Sequence, residues 1–401
     1  MRHAHAGWNH DWRRAECGQL IWKHGNTWFD PVTLRISVGT PLEDGGAEVP
    51  PAPDAPAAAV QAVVTRRCNL SCGYCNVRLS GDSPDDMTPE TADRVIKTAA
   101  DAPPGRLVMV TGGEPLLLPD IAFRILERVA PPKVLFTNAT LITMEIASGL
   151  KRMGVSPVVS LDGMESAHNS QRCGSWARAA EGLDILRENG VPYGISTVVG
   201  HHNWRGIGTV MEQMFRRFMP TSMGFNILHW TPGNFDPIPA ESYSDAVGSV
   251  FNTALRHGIF VDQIARRIDP IVSGVYRHRD CAALGGKIVF HPDGRTSNCI
   301  SGRSMEDWSM RIPAGMEYCA QCHAAGICGG GCAWDGIHLG GSLKPDARHC
   351  MWVRHILDLF LEDVEKHFPA GSVSRVELKK RYGMLITRGG SPLTASIGHR
   401  E

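Results

Sequence analysis

Cys68, Cys72 and Cys75 fall within eight positions of the stretch RRCNLSCGYCNV, with Tyr74 beside the third thiol and Gly73 available for a turn. Three thiolates spaced x3 and then x2 on one loop can surround an iron–sulfur cluster and leave one of four irons without a protein ligand. A zinc site and plain buried thiols are the other readings of that spacing. Seven more cysteines come late: Cys281, Cys299, Cys319, Cys322, Cys328, Cys332 and Cys350. Cys17 and Cys173 stand alone and read as small apolar or surface residues.

The 401-residue chain carries 41 Lys plus Arg against 41 Asp plus Glu, and no run of like charge suits a nucleic-acid groove or an anionic membrane. No apolar run approaches the roughly 20 residues that span a bilayer, and the start MRHAHAGWNHDW lacks the apolar segment of a signal peptide. The expectation is a cytoplasmic protein with neither nucleic-acid nor membrane partners. In a reducing compartment, twelve cysteines read as metal ligands or catalytic groups rather than a disulfide framework.

These thiols need a scaffold. Residues 1–41 hold β-rich runs, LIWKHGNTWF and TLRISVG, that suggest a hairpin or small sheet. Residues 42–59, rich in Pro and Ala, read as an extended linker. Over 60–262, six β-branched runs (VVT, RLVMVTGG, KVLFTN, PVVSLDG, PYGISTVVG and MGFNILHW) alternate with amphipathic helical stretches. One such helix is expected at 88–100, where Thr88 can cap, Pro89 fits the first turn and Ala92, Val95, Ile96 and Ala99 share a face. The alternation predicts an α/β fold with a parallel sheet, open or curled into a barrel, and chemistry at the carboxyl ends of the strands. After about 262 the pattern breaks into short Gly- and Cys-rich pieces with little core material, which predicts a domain stapled by metal over 263–365 and a tail over 366–401.

The order of motifs resembles the radical S-adenosylmethionine (SAM) superfamily through roughly residues 60–260. Tyr74 matches the aromatic before the third cysteine, and VTGGEP supplies Gly112, Gly113, Glu114 and Pro115. TNAT supplies Thr137 and Asn138, with Ala139 where the family usually has Gly, and SLDG supplies Ser160 and Asp162, followed by His168 and Arg172. Ser196 matches the fifth strand. The resemblance implies a partial (β/α)6 barrel, a four-iron cluster on Cys68, Cys72 and Cys75, and SAM held by these strand-end residues. The backbone and carboxylate of Gly112–Pro115 would take the methionyl ammonium.

The late spacing, Cys281-x12-Gly294-x4-Cys299 and then Cys319-x2-Cys322-x5-Cys328-x3-Cys332-x17-Cys350, resembles the seven-cysteine SPASM pattern. That resemblance implies two auxiliary four-iron clusters, an outer one on Cys319, Cys322, Cys328 and Cys350 and an inner one on Cys281, Cys299 and Cys332. The inner set has three thiolates; its fourth position would be open, reserved for substrate, or filled by Asp280 or His291. SPASM enzymes mostly modify peptides or proteins, so the implied activity is a crosslink, carbon–carbon or thioether, or a related redox change in a ribosomally made precursor peptide. A small sugar or amino-acid derivative is the alternative substrate. Sulfatase maturation is disfavoured, because Ile300 stands where those enzymes carry an Asp base. Implied partners are a flavodoxin- or ferredoxin-type reductant and a separate leader-recognition protein. The segment 1–41 is either a remnant of a peptide-docking module or a cap over the barrel.

Overall fold

The computed structural model describes residues 11–14, 20–43, 47–52, 59–75, 77, 86–233, 235–284, 286–301, 311–341 and 344–387. Cys17, half of the predicted linker and the end of the predicted tail lie outside the described residues.

Four short strands open the chain: β1 (Asp11–Arg14), β2 (Leu20–His24), β3 (Thr27–Phe29) and β4 (Ile36–Val38). They pair antiparallel in order, and β13 (Gly371–Ser372), from the far end of the chain, adds to β4. The predicted hairpin is present between β2 and β3, with Gly25 at φ +55°, a left-handed position that favours glycine. This sheet packs on the late part of the chain rather than over the barrel. Trp22 stacks on His323 at 4.5 Å between ring centroids, and His24 Nε2 lies 3.3 Å from Glu362.

Five of the six predicted strands form where expected, and the first lies earlier than the run VVT, sharing only Val63 with it and starting at the end of the predicted linker. β5 (Ala59–Val63), β6 (Leu107–Thr111), β7 (Lys133–Thr137), β8 (Ser156–Ser160), β9 (Gly194–Val199) and β10 (Ser222–Ile227) pair parallel in sequence order. β10 does not close on β5, so the barrel is partial. The crossovers are α1 (Pro89–Ala100), α2 (Pro119–Arg128), α3 (Met144–Met153), the short α4 (Glu165–Gln171) with α5 (Trp176–Glu188), and α6 (Ile207–Phe218), followed by α7 (Ala240–His257). α1 begins as expected: Thr91 N donates to the Thr88 side chain, Pro89 occupies the first turn, and Ala92 and Val95 are buried. Such a cap stabilises a helix by about 1 kcal/mol. β5 is buried along its whole length, as befits a strand of a parallel sheet with covered faces.

The stretch after 262 is richer in regular structure than its sequence suggests. α8 (Asp262–Ser273) runs along β10, with Gln263 Oε1 accepting from Phe225 N at 2.9 Å. β11 (Lys287–Phe290) pairs parallel with the free edge of β5 and turns into β12 (Thr296–Ser297), so the cysteine-rich region contributes a strand to the barrel sheet. After two short helices, α9 (Ala325–Cys328) and α10 (Ala333–Asp335), comes α11 (Ala347–His367), which buries Trp352, Ile356, Leu357, Phe360, Leu361 and Val364. Core material is therefore present there, and metal is not its only staple. The expected tail is also folded as far as α12 (Arg375–Ile386): Tyr382 Oη donates to Asp363 at 2.6 Å, and Arg375 Nη2 to Thr33 O at 2.9 Å.

Candidate active site and metal centres

The cysteine loop leaves β5 and lies against the end of β6. Gly113 N donates to Thr65 O at 2.8 Å and Glu114 N to Arg67 O at 2.9 Å. This approach explains the paired glycines. A Cβ on Gly112 would sit 2.5 Å from Thr65 O, and one on Gly113 would sit 2.3 Å from Arg67 O. Neither obstacle can move aside, because both are backbone.

Glu114 is fully buried. Its Oε1 accepts from Leu116 N at 3.1 Å and Thr137 Oγ1 at 2.8 Å, and its Oε2 accepts from Asn138 N at 2.7 Å. Burial pushes the carboxyl up to about 7, against the pull of these three donors. Both oxygens thus accept from donors inside the protein. The carboxylate ties β6 to β7, and with two donors on Oε1 and one on Oε2 it keeps acceptor capacity for a further donor. Asn138 carries the tie onward, its Nδ2 lying 2.9 Å from Asn69 Oδ1 and 3.9 Å from Cys68 Sγ.

At the end of β8, Arg172 Nε donates to Asp162 Oδ2 at 2.8 Å and Nη2 to Oδ1 at 3.2 Å, both side chains being buried. Tyr74 Oη donates to the same carboxylate, and Val198 N reaches Oδ1 at 3.0 Å. Burial opposes ionisation of Asp162, but the Arg172 charge and the donors around it hold the carboxyl well below its usual range. Asp162 and Arg172 therefore belong to the site as a pair that fastens the cysteine loop to β8. Ser160 lies at the same strand end, and Ser196 Oγ accepts from Asn226 Nδ2 at 2.7 Å beside a cavity inside the barrel.

The late thiols gather in two places. Cys319, Cys322, Cys328 and Cys350 line one pocket, with Arg354 Nη2 3.6 Å from Cys322 Sγ. Burial, followed by the neighbouring thiols, pushes Cys319 up to about 12; burial likewise raises Cys328 to about 11 and Cys350 still further. Four thiols so crowded and desolvated ionise readily only around a cation, so this donor set fits a thiolate-bound cluster. Cys281, Cys299 and Cys332 form the second group, close enough to act on one another electrostatically. The cysteine loop of the barrel fits in the same way, with Cys72 pushed up to about 11 by burial and coupled to Cys68 and Cys75.

The family model of the radical SAM superfamily matches residues 62–214. The chain carries a radical SAM domain. Among curated relatives, the Fe-coproporphyrin III synthase of Methanosarcina barkeri is 28% identical over 173 residues, 41% of this chain and 43% of that protein. The chain thus spans less than half the length of that relative. The radical SAM cyclopropyl synthase TigE of Paramaledivibacter caminithermalis is 23% identical over 318 residues, 68% of this chain and 67% of TigE. Among solved structures, native anSMEcpe with bound AdoMet and a Cp18Cys peptide superposes with a TM-score of 0.63 at 18% identity, covering 77% of this chain and 98% of that one. The expected fold holds, a partial barrel that matches the radical SAM family model followed by a small cysteine-rich region. A radical SAM domain implies SAM and one four-iron cluster.

Several site residues were not singled out from the sequence. His202 Nε2 lies 3.7 Å from Asp162, and the ring stacks near Tyr74. Gly329, Gly330 and Gly331, between two cysteines, all have φ between 68° and 86°. A Cβ at these positions would meet Asp280 N at 2.4 Å, Arg311 O at 2.5 Å and the His349 ring at 2.8 Å. The run CGGGC was legible as a place of close backbone approach. Arg267, on α8, donates to Ile327 O and Cys328 O at 3.1 Å each, which no spacing in the sequence announces. Among the described residues no helix is long and apolar enough to cross a membrane.

Proposed function

We propose that this chain is a radical SAM enzyme that modifies a ribosomally made peptide at an unactivated C–H position, forming a carbon–carbon or thioether crosslink or a related redox change. Cys68, Cys72 and Cys75 hold the barrel cluster in this reading. Cys319, Cys322, Cys328 and Cys350 hold an outer auxiliary cluster, and Cys281, Cys299 and Cys332 an inner one. When bound, SAM and the barrel cluster supply a 5′-deoxyadenosyl radical that can take hydrogen from a substrate carbon. Gly112, Gly113, Pro115, Thr137, Asn138, Ser160 and Ser196 present backbone and hydroxyl groups toward SAM. Glu114, Asp162 and Arg172 keep the strand ends in register.

The observation that carries the reading is that the inner thiol set shares a rim with the barrel mouth. Trp230 N, just past β10, donates to Asp335 Oδ1 at 2.8 Å, three residues after Cys332, and Trp334 Nε1 donates to Trp230 O at 2.9 Å. The two-domain likeness to anSMEcpe, crystallised with a peptide, supports the same substrate class. A flavodoxin- or ferredoxin-type protein is the proposed reductant. A separate protein, or the outer edge of β1, which pairs with no other strand among the described residues, would receive the leader. The relative named for coproporphyrin keeps a small-molecule substrate as the second reading.

Anaerobic reconstitution should give about twelve irons per chain for three four-iron clusters, together with SAM-dependent release of 5′-deoxyadenosine. Co-expression with the product of a short reading frame beside the gene should yield a peptide lighter by two hydrogens. About four irons would remove the auxiliary clusters from the account. Full iron and SAM cleavage with no change in any neighbouring peptide would turn it toward the small-molecule reading.

A further inference from the structure

We infer that His229 is the fourth ligand of the inner auxiliary cluster, completing the set begun by Cys281, Cys299 and Cys332. The inference rests on the cluster proposed above and names the residue that its three cysteines leave undetermined.

Of the two candidates from the sequence, Asp280 is already committed, and His291 is not among the described residues grouped with an inner thiol. Asp280 is held by Arg267 at 2.8 Å, Arg277 at 3.3 Å and Arg266 at 3.8 Å, a buried cationic nest that satisfies its charge. His291 Nε2 is 2.7 Å from Ser297 Oγ within the turn of β11 and β12. The structure instead brings in a residue from the barrel, 52 positions before Cys281. His229, Cys332 and Asp335 place one ligand atom each within 4.8 Å of one another. Cys281 and Cys299 both lie near enough to act on the His229 ring by charge. Cys332 therefore meets this imidazole directly, with Cys281 and Cys299 in its electrostatic surroundings.

The ring is held by a fixed carboxylate. Its Nδ1 is 2.7 Å from Asp335 Oδ2, while Asp335 is fully buried and receives a second donor, Trp230 N, on Oδ1. With Nδ1–H donating to this fixed carboxylate, Nε2 carries the lone pair. That is the carboxylate–histidine–metal arrangement, in which the acid selects the tautomer and raises the basicity of the ligating nitrogen. Asp335 acts here as a positioning residue. A neutral imidazole in place of a thiolate also leaves the cluster less negative, which raises its reduction potential. The inner cluster would then accept an electron more readily than the outer one, whose four ligands are all thiolates.

The test uses the full chain with Cys68, Cys72 and Cys75 all replaced by Ala, so that only the auxiliary clusters remain. Reconstituted anaerobically, it should hold about eight irons. In the reduced state, pulsed electron paramagnetic resonance should show the hyperfine coupling of a directly bound nitrogen. The coupling should change with 15N-histidine labelling and disappear in His229→Ala. His229→Cys should keep the eight irons, lose the coupling and lower the inner potential. Eight irons without a histidine nitrogen coupling, or a coupling that survives His229→Ala, overturns the assignment and leaves the two clusters standing. About four irons in the parent protein overturns both the inner cluster and its ligand.

Discussion

Arg172 grips Asp162 with two nitrogens, at 2.8 and 3.2 Å, and Tyr74, one residue before Cys75, donates to the same carboxylate. The end of β8 and the cysteine loop are thereby one unit. Arg172→Ala strips a buried carboxylate of its counter-charge, a change that costs about 3–5 kcal/mol. Thermal unfolding should show that loss, and iron bound at the barrel should fall with it. An unchanged melting point and full iron would show that the pair has no structural part.

Gly113 gives a sharper test of the loop. Its substitution by Ala drives a methyl into Arg67 O, 2.3 Å from the ideal Cβ, and displaces the segment that carries Cys68. The expected result is a loss of about four irons with the remaining clusters intact. Gly154→Ala is the control, since φ is +64° there but nothing lies within 4 Å of the new Cβ. It should cost about 1 kcal/mol and leave the iron count unchanged.

Glu114 separates positioning from ligand contact. In Glu114→Gln an amide NH2 replaces one acceptor, so either Asn138 N or both Leu116 N and Thr137 Oγ1 lose their partner, and the amide flip that leaves only Asn138 N unpaired costs least. A buried donor left unpaired costs about 1–3 kcal/mol. SAM affinity, measured by anaerobic titration, should weaken less than about tenfold, or 1.4 kcal/mol. A far larger loss of affinity at unchanged melting temperature would return the carboxylate to the ammonium.

The barrel was legible because most of its strands are short apolar runs and most of its helices are amphipathic, signals that survive without tertiary context. The metal ligands were legible because a thiol set needs a fixed spacing on a loop. What was missed depends on packing between distant segments. The ties from Glu114 to Thr137 and Asn138 join two strand ends that the sequence keeps far apart. Ala139 keeps the left-handed backbone, φ +62°, of the glycine it replaces, so the motif's shape outlasted its residue. α8 carries Ile264, Ala265, Ile268, Ile271 and Val272 at helical spacing and was passed over only because it opens the stretch read as poor in core material. The burial of Arg267 against the Cys328 loop gives no sequence signal. β11 is four residues long and joins the barrel only through its pairing with β5. His229 gave no signal at all, since its relation to Cys332 and Asp335 arises only when β10 meets the cysteine-rich domain.

Asp358 makes stability depend on pH in a direction that a variant can isolate. It sits on α11, 3% exposed, with Glu362 one turn on and His24 3.9 Å away. Burial, followed by the Glu362 charge and against the pull of Arg354, pushes its carboxyl up from 3.8 to about 8. The folded chain therefore keeps this proton over a range in which the unfolded chain has lost it. The contribution is fully present below about pH 4 and disappears as pH rises through 8, at about 1.4 kcal/mol per unit while the folded group stays protonated. Asp358→Asn is neutral in both states and escapes this dependence. Other groups titrate in the same window, including His168 and His349, which burial lowers to about 4 and whose effect has the opposite sign. They are common to both proteins, so the difference between variant and wild type reports Asp358. Anaerobic melting at pH 6 and pH 8 should show the variant gaining several degrees on the wild type across that interval. A difference that stays flat with pH would mean that Asp358 is ionised in the fold and that His24 or Arg354 compensates its charge.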